Sequence, residues 1–86
     1  MEISNSYKTK TKSEEGLERE IFKKYRKAAG LPKYTRINCY WSWINDKDIR
    51  GFDFFYNEAG LEFRGKIRFS ISNAFEVDYT FENYKS

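Results

Sequence analysis

Residues 61–71 read LEFRGKIRFSI, and the stretch alternates without a break: Leu61, Phe63, Gly65, Ile67, Phe69 and Ile71 take the odd positions, while Glu62, Arg64, Lys66, Arg68 and Ser70 take the even ones. Successive side chains leave a pleated strand on opposite sides, so a period of two marks a strand with one dry and one wet face. Function then turns on whether the row Arg64, Lys66, Arg68 is a binding surface or only the wet side of a sheet.

The same period runs through the neighbouring segments. RINCYWSWI (36–44) places Ile37, Cys39, Trp41 and Trp43 on one side and Arg36, Asn38, Tyr40 and Ser42 on the other. FDFFY (52–56) sets Phe52, Phe54 and Tyr56 against Asp53 and Phe55, and FEVDYTFE (75–82) puts Phe75, Val77, Tyr79 and Phe81 on its apolar side. NDKD, NEAG and SNA separate these runs as turns, with Gly60 suited to a positive φ.

Upstream the period changes. In SEEGLEREIFKKYRKAAGLP (13–32), Leu17, Ile21, Tyr25 and Ala28, with Phe22 and Ala29, fall on one helical face. Thr11 or Ser13 caps the start, Thr11 with Glu14 having capping-box spacing. Glu14, Glu15, Glu18 and Glu20 lie early and Lys23, Lys24, Arg26 and Lys27 late, which complements the helix dipole. Gly30, Leu31 and Pro32 form the stop, with Leu31 folding back on Tyr25. The spacing predicts a helix over 13–29, its first turn weakened by Gly16. The fold class expected is α+β: one N-terminal helix packed on one face of a four-stranded antiparallel meander sheet. The expected single domain is 13–86, preceded by a flexible basic arm, 1–12, in which Lys8, Lys10 and Lys12 alternate with threonine.

Eighty-six residues hold one small domain, and such a domain needs a rich core. The 8 Phe, 7 Tyr and 2 Trp supply it. One cysteine, Cys39, forms no internal disulfide and reads as a small buried hydrophobe. No apolar run has the length of a membrane span and no secretory core follows Met1, so the cytoplasm is expected. Net charge is +3, but residues 1–36 carry ten cations and five anions while residues 37–86 carry six and eight, so the basic character belongs to the N-terminal third.

Catalytic and cofactor signatures are missing. There is no histidine, hence neither the usual general base near neutral pH nor a His-containing zinc site. A phosphate loop and a dinucleotide fingerprint are absent too. Asp46, Asp48 and Asp53 lack the glycine and distal glutamate of a calcium loop. The expectation is a chain that is not an enzyme and takes no cofactor or metal.

Three surface features remain. With SNA and NEAG as complete loops, Arg68 falls opposite Asp78, Arg64 opposite Glu82 and Asp53, and Lys66 opposite Thr80, so the cationic row is neutralised inside the sheet and fixes pairing. Gly65 falls between Phe52 and Phe81 and makes room for packing. Tyr40 and Phe55 fall opposite each other on the outer face, framed by Arg36, Arg64 and Lys66, as a partner-binding platform unless 83–86 or the N-terminal arm folds over it. Lys23, Lys24, Arg26, Lys27, Lys33 and Arg36 form a cationic helix end whose alternatives are dipole complementarity and contact with nucleic acid.

In size, charge and element order the chain is similar to the small ribonuclease toxins of bacterial toxin–antitoxin pairs, with no motif that carries catalytic residues across. Its Lys-, Asn-, Phe- and Tyr-rich single-domain type also resembles the phage and mobile-element products that block host defence machines, the anti-CRISPR inhibitors among them. That resemblance implies a non-catalytic inhibitor of a host defence nucleoprotein, of anti-CRISPR or anti-restriction type, whose partner is a protein. The other class open is a nucleic-acid-binding domain using the basic helix end and the sheet-surface aromatics.

Overall fold

The computed structural model describes residues 2–11, 13–45 and 48–82. It is α+β: strands β1 (Ile3–Lys8), β2 (Asn38–Ile44), β3 (Arg50–Glu58), β4 (Leu61–Ile71) and β5 (Glu76–Glu82), with one helix, α1 (Glu14–Ala28), between β1 and β2. The strands form one antiparallel sheet in the order β1-β5-β4-β3-β2. The expected four strands are therefore five. The extra one comes from the segment read as a flexible arm, where Ile3 faces Phe81 and Tyr7 faces Val77. Both side chains pack against the core, and Thr9 N–H donates to the Phe75 carbonyl at 2.8 Å, which fastens the end of the strand. Ser4, Asn5 and Ser6 hid the alternation from a hydrophobicity pattern. Lys12 of the same segment lies outside the described residues.

The helix ends are built by their own side chains. Ser13 is the N-cap, its Oγ accepting from Gly16 N–H at 3.0 Å, and its own N–H donates to Thr11 Oγ1 at 3.1 Å. A Cβ on Gly16 would stand 2.6 Å from Thr11 Cγ2, so the glycine that costs helix propensity makes room for the cap. At the other end Leu31 N–H donates to Arg26 O and Gly30 N–H to Lys27 O, with Gly30 at φ 70°, which is a Schellman stop.

Leu17, Ile21, Phe22 and Tyr25 of α1 share one buried cluster with Phe52, Phe54, Tyr56, Ile67, Phe69, Val77, Tyr79 and Phe81. Phe22 meets Phe52 and Phe54, and Tyr25 meets Phe54, Tyr56 and Phe81, at centroid separations of 4.9–5.8 Å and steep interplanar angles. The edge-to-face arrangement suits the ring quadrupoles. The buried hydroxyls of Tyr25 and Tyr56 share one hydrogen bond at 3.2 Å.

Both expected hairpin registers are corrected. β3 and β4 pair down to Glu58 and Leu61, so the turn is Ala59–Gly60 alone, with φ 52° and 80°, and Asp53 faces Lys66 while Phe55 faces Arg64. Between β4 and β5, Ser72 N–H donates to Glu76 O, so Asn73, Ala74 and Phe75 form the loop. Phe75, expected inside, sits in that loop at φ 59° and is exposed. Arg68 then faces Thr80 and Lys66 faces Glu82. Both slips are by two residues, which keeps every side chain on its face; apolar alternation cannot detect such a shift. Gly65 accordingly lies beside Phe54.

Candidate functional site

On β2 the expectation fails by one residue, and the outer face changes as a result. Cys39 faces Phe54, but Trp41 faces Asp53, leaving Tyr40 as the extra residue of a β-bulge. Beyond the bulge the strand is turned over. Trp41 and Trp43, expected on the apolar side with Ile37 and Cys39, stand opposite Asp53 and Gly51 on the face away from α1. Ile37 and Cys39 stay with the core. Burial raises the pKa of the Cys39 thiol, with Glu18 adding to it, so the sulfur is a poor nucleophile.

The outer face of β2 and β3 therefore carries Tyr40, Trp41, Trp43 and Phe55. Tyr40 is 51% and Trp41 60% exposed. The Tyr40 and Phe55 rings lie 6.0 Å apart at 41°, adjacent as expected, although the residue directly opposite Phe55 is Asn38. Trp43 is fixed: its Nε1 donates to Asp53 Oδ1 at 3.3 Å, and its six-membered ring lies where a Cβ on Gly51 would be. Trp41 is the aromatic that the sequence pattern missed, because a bulge inverts the alternation that the pattern reads.

The charged row borders these rings. Arg64 places its guanidinium 5.7 Å from the centre of the Tyr40 ring while its Nε pairs with Glu62 at 2.9 Å. The carboxylate raises the pKa of that guanidinium and the charge is permanent. Arg68 pairs with Glu82 at 2.9 Å, and Lys66 lies between Asp53 and Glu82 in the ladder. The row is thus interleaved with anions, though Glu62 and Glu82 are the carboxylates in contact with it. Arg36 is exposed in the connection before β2 and makes no ring or ion-pair contact with this group among the described residues.

Nothing described covers the rings. The segment expected to fold over them as an arm is β1, at the far edge of the sheet. Residues 83–86, the other expected cover, lie outside the described residues, as does Asp46 of the three aspartates considered as a cation site. Asp53 of that set is committed to Trp43. Among the described residues no cluster of three His, Cys, Asp or Glu side chains could hold a metal ion, and no helix is long and apolar enough to cross a membrane.

The cationic helix end is less of a cluster than its sequence suggests. Arg26 Nε donates to Thr35 O at 2.6 Å, tying the connection after the helix to α1. Lys33 and Arg36 are exposed farther along that connection. Lys23, Lys24 and Lys27 turn instead toward β1, where Lys24 Nζ rests 4.5 Å above the Tyr7 ring. Comparison of the chain with protein-family models, with curated proteins and with solved structures returns no match.

Proposed function

We propose that this chain is a non-catalytic protein-binding module whose contact surface is the outer face of β2 and β3. The observation that carries it is the exposure of Tyr40 and Trp41 beside Phe55 on a sheet face that no other described residue covers. Trp41 is the anchor, Tyr40 and Phe55 widen the apolar patch, and Arg64 and Lys66 form its polar border. Large aromatic side chains next to arginine are the commonest energetic centres of protein interfaces. The partner offers an apolar cleft for Trp41 with carboxylates or carbonyls at its rim.

Charge separates this from a nucleic-acid surface. Arg64, Lys66 and Arg68 share the outer face with Asp53, Glu62, Asp78 and Glu82, a balance that does not attract a phosphate backbone. The finer proposal is stoichiometric inhibition of a host defence nucleoprotein, and it rests on the likeness in type to anti-CRISPR inhibitors.

Affinity purification from the source organism with the native chain and with a Tyr40→Ser, Trp41→Ser variant, each with and without nuclease, tests the assignment. A stoichiometric protein that survives nuclease and is lost with the variant, at unchanged melting temperature, supports it. Retention that disappears with nuclease, or falls steeply with added salt, would establish the nucleic-acid class instead.

A further inference from the structure

The lysines of α1 face an open strand edge. Tyr7 and Lys8 of β1 and Glu20, Lys23, Lys24 and Lys27 of α1 line a groove of about 300 Å³ along the flank of the helix. β1 is the end strand of the sheet, and among the described residues nothing pairs with its outer edge. Thr9 N–H points into the sheet, toward Phe75, so by strand alternation Ser4, Ser6 and Lys8 direct their backbone groups outward. Ser6 N–H is met by its neighbour Asn5 through Oδ1 at 2.8 Å, a local substitute for a strand partner.

The opposite edge is blunted. β2 carries the bulge at Tyr40, which breaks its register, whereas β1 pairs with β5 without interruption from Ile3 to Lys8. Of the two edges only β1 offers a regular ladder.

The groove's charge selects what can add there. None of Lys23, Lys24 and Lys27 has a carboxylate partner within ion-pair distance among the described residues. Glu20 is already engaged, its Oε1 accepting from Tyr7 Oη at 3.0 Å and from Thr9 Oγ1 at 2.6 Å. The last turn of the helix holds Arg26 and Lys27, and Lys23 and Lys24 lie before it, so the lysine row is longer than the dipole requires. Lys23 and Lys27 are one turn apart, about 6 Å along the helix axis. Alternate residues of a strand repeat at about 6.6 Å, nearly the same interval.

We infer that the β1 edge is a docking site for an extended acidic peptide, which adds as a sixth strand and directs alternate carboxylates at Lys23 and Lys27. Backbone hydrogen bonds to Ser4, Ser6 and Lys8 hold the strand, and the ammonium row sets its charge. A second copy of the chain is disfavoured because it would bring two lysine rows together. This surface is independent of the outer-face aromatics.

The test titrates a fluorescein-labelled peptide of alternating Val and Glu, four repeats long, into the intact protein, followed by anisotropy and by amide NMR. The expected result is millimolar or tighter binding, shifts and slowed exchange at the Ser4, Ser6 and Lys8 amides, and at least tenfold weaker binding in a Lys23→Glu, Lys27→Glu variant. Lys33→Gln, Arg36→Gln and Tyr40→Ser, Trp41→Ser variants should bind as the native chain does, which separates this site from the aromatic one. Absence of binding, equal loss in the Lys33→Gln, Arg36→Gln variant, or a single-stranded oligonucleotide that binds more tightly without protecting β1 amides would overturn the proposal.

Discussion

The two faces of the sheet each solve the same local problem, and the solutions differ in what stands behind them. On the helix side Phe54 packs over Gly65 of the next strand, its Cζ 2.6 Å from where a Cβ would be. On the outer side Trp43 packs over Gly51 in the same cross-strand manner. A ring that covers a strand glycine replaces the packing that residue lacks. Phe54 is then closed in by Phe22 and Tyr25, whereas Trp43 has Asp53 beside it and Trp41 and Tyr40 next along its strand. The same motif is core on one face and the fixed rim of an exposed aromatic surface on the other.

That contrast can be broken most severely at the rings. Phe54→Ala should cost about 3–5 kcal/mol in chemical denaturation, since the space beneath α1 collapses poorly. Trp41→Ala should change stability by no more than about 0.5 kcal/mol while removing the proposed interface; a loss near that of Phe54 would show Trp41 to be core. The glycines sharpen the comparison. Gly65→Ala should cost about 1–3 kcal/mol because Phe54 cannot leave, and Gly51→Ala at least as much, because even after Trp43 swings into solvent the new Cβ would stand 2.8 Å from the Ile67 carbonyl oxygen. Red-shifted tryptophan emission in the Gly51 variant alone would report that movement.

A smaller effect is expected at Tyr7, where the helix side meets solvent. Burial, and then the hydrogen bond to Glu20, raise the Tyr7 pKa well above its ordinary value of about 10. A folded-state pKa above the unfolded one gives stability that is complete below about pH 10 and is lost as pH climbs further. The urea midpoint should fall above that pH, and Tyr7→Phe should remove this part of the slope at a cost of about 1 kcal/mol at neutral pH. The smallest effect belongs to the β3–β4 turn, where Ala59 occupies a left-handed position beside Gly60. Ala59→Asn should stabilise by about 0.5 kcal/mol in thermal melts, because asparagine tolerates that φ better.

Much of the helix-facing half was legible in advance. The helix and its caps are local: Ser13, Gly30 and Leu31 act within a few residues of where they stand. The inward residues of β3 and β4 were equally clear, because their alternation is uninterrupted. What escaped was non-local. Ile3 and Tyr7 became a strand only because β5 had a free edge and the core had room for them. Each hairpin register slipped by two because Ala59 and Phe75 adopt positive φ without being glycine. Trp41 moved to the outer face through a bulge that no residue type announces.

By itself, then, the sequence determined the α+β class, the helix with both its ends, and which side chains of β3 and β4 face α1, since each follows from periodicity or from contacts a few residues long. Only the tertiary structure decided the fifth strand, the strand registers and the outward turn of Trp41 and Trp43. Those depend on which edges are free and where the ladder slips, and pairing energies between distant segments set both.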